Sequence, residues 1–223
     1  MLCTANKLTE LDVRNCPKLT ELACSSNELS ELDVSACPAL SILYCEQNKL
    51  SSLDVSGAPA LTDLYCYKNP LTVLNADNCP KLRSISCEMG SLTELNVSDC
   101  PVLKYLFCEE NSLSVLDISE CPSLINLVKN VEKVDKGTYF EYDDWSRWGT
   151  LKVDKTVQLI TEKISITDII LSSDTFTYTG SAIKPKVVVK YQSTVLDPST
   201  DYTLSYKNNT NAGTATVTVT GKG

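Results

Sequence analysis

Histidine is absent from this chain of 223 residues, and glycine, tryptophan and methionine are scarce, with eight, two and two copies. Without histidine, the Ser–His and Cys–His pairs that activate a nucleophile cannot form, and the commonest metal-binding side chain is missing. The sequence also has no glycine-rich phosphate-binding loop. No apolar run approaches the roughly 18 residues of a membrane-spanning helix. The sequence therefore disfavours most classes of enzyme, a metal site and membrane insertion.

The charge is acidic and unevenly distributed. The formal net charge is −8, which argues against nucleic acid or an anionic membrane as the main partner. Residues 1–127 contain 17 Asp and Glu against eight Lys and Arg, whereas residues 128–223 contain 11 against 12. The composition therefore changes near residue 128, which predicts a domain boundary there.

A segment of 21 residues recurs six times in the first half of the chain. Residues 29–49 read LSELDVSACPALSILYCEQNK, and residues 50–70 read LSSLDVSGAPALTDLYCYKNP. Each half of the repeat alternates apolar and polar residues, which predicts two short strands per repeat. A fixed period of this length indicates a stacked solenoid, in which neighbouring repeats bury each other's apolar faces. The repeats begin at Leu8, Leu29, Leu50, Leu71, Leu92 and Leu113.

The repeat resembles a known family. LTELACSSNEL at residues 19–29 resembles the leucine-rich repeat segment, and LSELDVSACPAL at residues 29–40 resembles its variant with Cys at the turn position. The pattern is similar to the short 21-residue repeats of bacterial surface proteins and, more distantly, to internalins. The resemblance covers residues 1–127 and implies a β-rich leucine-rich repeat solenoid that binds a partner. We expect the Asn-bearing half of each repeat to line the concave face.

Two kinds of side chain recur at turn and core positions. The Asn of the repeat, whose side chain satisfies backbone groups of the turn in leucine-rich repeats, is replaced once, by Gly90. Its copies are Asn6, Asn27, Asn48, Asn69 and Asn111. Cysteine recurs in two registers. One comprises Cys3, Cys24, Cys45, Cys66, Cys87 and Cys108, and the other Cys16, Cys37, Cys79, Cys100 and Cys121.

The eleven cysteines allow three interpretations. A buried apolar role is favoured, because Ala58 occupies the same position in one repeat. Disulfides between neighbouring coils are the second interpretation, but side chains in parallel register suit the bridge torsion poorly. Metal binding is the third, and it lacks both a CxxC pair and a histidine.

Aromatic residues are predicted to form a row on the exposed face. Tyr44 lies between the core residues Leu43 and Cys45, so its side chain points outward. Its equivalents one period apart are Leu2, Ala23, Tyr65, Ser86, Phe107 and Val128. Exposed apolar clusters often mark contact sites, although cross-strand aromatics can also simply stabilise an exposed sheet. The predicted ligand-binding residues are Tyr44, Tyr65, Tyr67, Tyr105 and Phe107.

The other half of the repeat contains an acidic row. We favour a turn or hydrogen-bonding role for these side chains, because hard cations need several oxygens around one point. A ladder of calcium sites is the alternative. The row comprises Asp12, Asp33, Asp54, Asn75, Asn96 and Asp117.

The repeat pattern stops near residue 128. Residues 128–162 are rich in aromatic residues and are predicted to form a strand-rich C-terminal cap, because Leu124 and Leu127 would otherwise face water. A carbohydrate platform built from Trp145 and Trp148 is the alternative. The aromatic residues of this segment are Tyr139, Phe140, Tyr142, Trp145 and Trp148.

Residues 163–223 contain short β-prone runs, such as Phe176–Tyr178 and Lys186–Tyr191, between turn signals, which predicts a small β-sandwich. The segments FTYTGSAIKPKVVVKY and NAGTATVTVTG resemble the bacterial Ig-like domains of secreted and wall-attached proteins of Gram-positive gut bacteria. The chain begins inside a repeat and ends before the last strand usual in that family. We therefore expect further chain at both ends, with any signal and anchor outside this segment.

These expectations describe a non-catalytic extracellular binding or adhesion module. Its partner would be a protein or a carbohydrate, with no cofactor, metal or nucleic acid, and the chain would be a monomer. Two alternatives stay open: a structural spacer with no specific ligand, and a glycan-active enzyme that uses paired carboxylates.

Overall fold

The computed structural model describes residues 1–144, 147, 149–162, 168–171, 184–191, 194–198, 202–207 and 216–221. The chain divides into two compact units, Met1–Lys163 and Ile164–Gly223. Trp145, Trp148 and the run Phe176–Tyr178 lie outside the described residues.

The repeats form strands of three residues, each with its central side chain turned into the core. Every central residue is apolar because it is the second leucine or isoleucine of the Leu-x-x-Leu motif. In chain order, the strands are β1 (Glu21–Ala23), β2 (Ile42–Tyr44), β3 (Ser52–Asp54), β4 (Asp63–Tyr65), β5 (Val73–Asn75), β6 (Ser84–Ser86), β7 (Glu94–Asn96), β8 (Tyr105–Phe107) and β9 (Val115–Asp117).

The strands assemble into two parallel sheets. The larger sheet has the order β1-β2-β4-β6-β8, and each strand pairs with the equivalent residues one period later. The smaller sheet is β3-β5-β7. Leucine and cysteine side chains fill the space between the two halves of each coil and are almost fully buried. The chain therefore forms a leucine-rich-repeat-like β-solenoid, as the repeat predicts.

The prediction of two strands in every repeat is wrong for the first two repeats. Residues 8–19 and 29–40 follow the same path as later coils but contain no assigned strand. From Ser52 to Phe107, both halves of the coil are extended and paired. The apolar residues of the motif are buried in these repeats too, as Leu32 and Val34 show, although their backbone forms no strand.

The ladder asparagines hold successive coils together. The side-chain amide of Asn48 donates to the carbonyl oxygens of Cys24 and Cys45, both at 3.0 Å, and its Oδ1 accepts a hydrogen bond from the backbone N–H of Leu29. The residue before each asparagine adopts a left-handed conformation, with φ of 58° at Gln47. Each asparagine thus satisfies backbone groups of two coils at a tight turn.

A helix replaces the second half of the sixth repeat. It is α1 (Pro122–Asn130), and Leu124 and Leu127 are buried on one side of it. A leucine pair three residues apart fits one helical turn as well as the strand motif, and proline favours the first turn of a helix. The strand-rich cap therefore begins with a helix. The assignment of Val128 to the aromatic row is also wrong, because that residue lies in α1.

Four strands follow the helix. They are β10 (Val134–Asp135), β11 (Tyr139–Asp144), β12 (Gly149–Asp154) and β13 (Gln158–Ile160). Strand β12 runs parallel to β8 with Leu151 opposite Leu106, and β13 pairs in parallel with β9. Strands β11 and β10 then continue the larger sheet in antiparallel pairing. Residues 149–160 therefore occupy the place of one more coil without having its sequence motif.

The second unit contains antiparallel strands. Strands β14 (Asp168–Leu171), β15 (Val187–Tyr191) and β16 (Thr194–Val195) form one sheet, and β17 (Tyr202–Lys207) pairs with β18 (Thr216–Gly221). Val187, Val189 and Tyr202 form its buried cluster. Across the described parts of both units, no helix is both long and apolar enough to cross a membrane.

Candidate functional site

The outward-facing residues of the larger sheet form straight rows, because the parallel strands pair without a register shift. One row, called the aromatic row from here on, runs across six neighbouring strands. It consists of Ala23, Tyr44, Tyr65, Ser86, Phe107 and Lys152.

Two tyrosines of the aromatic row stack on each other. The ring centroids of Tyr44 and Tyr65 are 4.9 Å apart and the ring planes differ by 8°. Both side chains are half-buried. Burial, with Asp63 and Tyr44 nearby, raises the pKa of the Tyr65 hydroxyl. The pair is therefore a stacked aromatic platform.

Phe107 is flanked by a cation on the side of β12. The Nζ atom of Lys152 lies 5.3 Å from the centroid of the Phe107 ring and 5.9 Å from that of Tyr139. The same ammonium is 3.7 Å from Glu141 Oε1. Because Lys152 follows Phe107 along the row, it covers the side of the ring that faces away from Ser86.

Ser86 interrupts the aromatic row between Tyr65 and Phe107. Its side chain is small and 9 % exposed, and its hydroxyl donates a 2.8 Å hydrogen bond to Glu88 Oε2. Serine therefore brings no ring to the position that Tyr65 and Phe107 fill with rings in the neighbouring strands. We call this vacant ring position, bounded by Tyr65, Ser86 and Phe107, the Ser86 slot.

The structure places the other two predicted site residues on neighbouring rows of the same sheet. Tyr105 starts β8 and shares a row with Asp63 and Ser84. Tyr67 lies two residues beyond β4, with Lys68 Nζ 5.9 Å from its ring centroid. The five predicted residues therefore fall on three adjacent rows, and the rings of Tyr44 and Tyr65 are in contact.

A row of carboxylates next to the aromatic row was not predicted. It consists of Glu46, Glu88 and Glu109, which occupy the same repeat position as Tyr67. The signal was present, because glutamate recurs there at multiples of 21 residues. Tyr67 interrupts the glutamates at this position, so the carboxylate row is less regular than the acidic row of the other half of the repeat.

Glu109 is the most buried member of the carboxylate row. The residue is 8 % exposed, and its Oε2 atom has no hydrogen-bond partner among the described residues. Burial raises the pKa of this carboxyl to about 7; Glu88 and Asp154 raise it further, and Lys152 opposes them. Glu46 Oε2 likewise lacks a partner within the described part of the chain.

The side chains of the acidic row accept hydrogen bonds within turns. At each of its six positions, a side-chain oxygen accepts a hydrogen bond from the backbone N–H two residues later, as Asp33 does from Ser35 at 2.9 Å. Asp and Asn serve equally in this role, which explains why both occur in the row. Within the described residues, no group of three or more metal-binding side chains is arranged around a common point.

All eleven cysteines are free thiols. Burial raises the pKa of Cys24 to about 12, and it raises the pKa of Cys45 and Cys66 well above the ordinary value. Because the thiolate is the nucleophile and metal ligand, these residues are poorly suited to either role. The geometry agrees with the apolar role expected from the Ala58 substitution.

Comparison with known proteins identifies one solved structure by name. No protein-family model matches the chain, and no curated protein matches it. Nineteen solved chains match in structure. One is the functional domain of InlJ from Listeria monocytogenes, described as including a cysteine ladder, with 20 % identity and a TM-score of 0.36. The match covers 69 % of this chain and 56 % of that one, so the chain spans little more than half of that domain.

Proposed function

We propose that this chain is a non-catalytic binding module of a secreted or cell-wall-attached bacterial protein, and that the aromatic row contacts its protein or carbohydrate partner. The observation that carries the proposal is the stacked, half-buried pair Tyr44 and Tyr65 on the outer face of a parallel sheet. Tyrosine rings supply a large contact area with little loss of side-chain entropy, and they are enriched at interfaces.

The sheet supports this role physically. Each strand of the aromatic row is fixed by ladder hydrogen bonds to both neighbours and by a leucine or isoleucine in the core. A partner therefore meets rings that are already ordered, which lowers the entropic cost of binding. Tyr67 and Tyr105 widen the same face, and we include them in the contact surface.

The remaining expectations complete the proposal. Residues 128–162 act as the C-terminal cap of the solenoid, and residues 163–223 form an Ig-like module. The pairing of β12 with β8 supports the first, and the antiparallel strands support the second. The chain acts as a monomer outside the cell.

Glycan hydrolysis is the alternative that one observation favours. Glu88 and Glu109 lie on adjacent coils, and the pKa of Glu109 is raised to about 7, as a general acid requires. The buried position of Glu109 Oε2 opposes this role. Turnover of a glycan panel that disappears in Glu109→Gln would replace the binding proposal with this one.

The test is a screen for retention of glycans and surface proteins by the full chain and by the double variant Tyr65→Ala/Phe107→Ala. We expect the double variant to lose about 100-fold in affinity, since each aromatic anchor contributes about 1–2 kcal/mol, with little change in melting temperature. Tyr206→Ala, which removes a half-buried tyrosine from the second unit, is the matched control. A lower melting temperature with unchanged retention would refute the aromatic row as the site, and no retention by the wild type would favour a spacer.

A further inference from the structure

We propose that the Ser86 slot receives the guanidinium group of an arginine from a basic polypeptide partner. This inference rests on the proposed function and names the partner's chemistry. Three features of the slot carry it: its width, its two flanking aromatic rings and its carboxylates.

The width of the slot suits a flat group. Tyr65 and Phe107 are two strands apart, which corresponds to about 10 Å at the strand spacing of parallel sheets. A planar group in contact with rings on both faces needs about 7–8 Å, because carbon atoms meet at about 3.5–4.0 Å. A guanidinium therefore enters without displacing either ring.

Each ring that borders the slot already has a partner on its other side. Tyr44 stacks on Tyr65 from the other side, and Lys152 covers the far side of Phe107. Guanidinium groups stack on aromatic faces and are weakly hydrated, whereas an ammonium is compact and strongly hydrated. The slot therefore favours arginine over lysine.

Charge complementarity identifies the occupant as cationic. Glu88 lies two residues from Ser86 and Glu109 two residues from Phe107, so both carboxylates border the slot on the same side. Glu109 is more than nine-tenths buried, and its Oε2 atom lacks a hydrogen-bond partner among the described residues. A guanidinium supplies five donors in a planar fork that matches carboxylates. Neutral sugars and acidic partners lack this match.

The experiment measures binding of fluorescein-labelled nona-arginine to the full chain by anisotropy at pH 8. In Ser86→Tyr the aromatic row continues through the slot, as it already does at Tyr44 and Tyr65. We expect this variant to bind at least about tenfold more weakly. Ser86→Ala leaves the slot open, and we expect its affinity to stay within about twofold of wild type. Ser86→Leu is a second blocking variant, and it introduces the residue type that Leu2 has at the equivalent repeat position.

A pair of charge variants distinguishes binding at the Ser86 slot from general attraction of a cationic peptide to an acidic protein. Glu109→Gln removes the bordering charge, and we expect about fivefold weaker binding. Asp33→Asn removes one charge from the other half of the repeat, where Asn75 and Asn96 show that asparagine preserves the turn. We expect that variant to bind within about twofold of wild type.

Two results would overturn the inference and leave the proposed function standing. One is equal binding of nona-arginine to Ser86→Tyr and Ser86→Ala, which would mean adsorption elsewhere on the acidic surface. The other is retention of a neutral oligosaccharide that Ser86→Tyr abolishes, which would assign the slot to a sugar ring. Failure of the proposed function has a different signature, because retention would then be insensitive to Tyr65→Ala/Phe107→Ala.

Discussion

At the scale of the residue, Glu109 couples the binding face to pH. Because burial raises its pKa from 4.5 to about 7, the folded chain keeps this proton in a pH range where the unfolded chain has released it. The contribution of Glu109 to stability is therefore fully present below pH 4.5 and is lost as pH rises to about 7.

Replacing Glu109 by glutamine removes this dependence. We expect the effect of Glu109→Gln on the free energy of unfolding, measured with urea, to depend on pH. The substitution should be more stabilising at pH 8 than at pH 4, by about 1–2 kcal/mol. The figure allows for solvent screening of the less buried oxygen. Glu110→Gln, at an exposed neighbour, is the control and should change stability by less than about 0.5 kcal/mol. Equal effects of Glu109→Gln at both pH values would contradict the assignment.

Asn69 shows what one ladder asparagine contributes. It is 2 % exposed, donates to the carbonyl oxygens of Cys45 and Cys66, and accepts from the backbone N–H of Leu50. Asn69→Ala leaves these buried groups unpaired and should lower the free energy of unfolding by about 3–4 kcal/mol. Asn6→Ala removes the same side chain from an exposed turn and should lower it by less than about 1 kcal/mol. Similar losses for both variants, measured by urea unfolding, would refute the burial argument.

At the scale of the element, the cysteines of both registers pack in the core of the solenoid, and their exposure to solvent differs. Cys3 and Cys16 are half-buried, whereas the other nine thiols are buried. Burial raises the pKa of Cys87 and Cys108 well above the ordinary thiol value, which suppresses the thiolate. We expect an Ellman-type titration at pH 8 to label two thiols within minutes and the other nine only after unfolding. Rapid labelling of more than three, with the circular dichroism unchanged, would contradict this.

The repeat motif predicted the strands of the solenoid but not the elements that follow the last repeat. The Leu-x-x-Leu-x-Cys pattern located β1, β2, β4, β6 and β8, because one apolar side chain per strand decides which face is buried. It mistook α1 for a further strand, because Leu124 and Leu127 satisfy both periods. Strand β12 joined the larger sheet with no leucine-rich motif, since pairing with β8 depends on backbone groups that every sequence offers.

The site was predictable in part for a similar reason. Period-2 alternation is enough to put Tyr44 and Tyr65 on the exposed face, and the period of 21 puts them in one row. The place of Ser86 in this row is also visible in the sequence, but the cation beside Phe107 is not, because Lys152 enters the row through a pairing 45 residues distant. The burial of Glu109 likewise depends on β12, whose position the repeat does not encode.

At the scale of the whole molecule, the solenoid allows one coil to be removed without changing the register of the rest. Because each repeat contacts only its neighbours, deletion of 21 residues joins two equivalent positions. Removing residues 71–91 takes out Ser86 and brings Tyr65 next to Phe107, which closes the slot. Removing residues 50–70 takes out Tyr65 and brings Tyr44 next to Ser86, which keeps the slot between two aromatic rings.

The two deletions therefore form a matched pair for the binding site. Both lose one coil, so we expect similar decreases in melting temperature and single cooperative unfolding of the solenoid, followed by circular dichroism. Nona-arginine should bind the 50–70 deletion within about threefold of wild type and the 71–91 deletion at least about tenfold more weakly. The 71–91 deletion also removes Glu88, so Ser86→Tyr, which keeps that carboxylate, distinguishes the loss of charge from the closing of the slot. Equal affinity of the two deletions would mean that the vacant ring position has no part in binding, because the 50–70 deletion keeps that position and the 71–91 deletion does not.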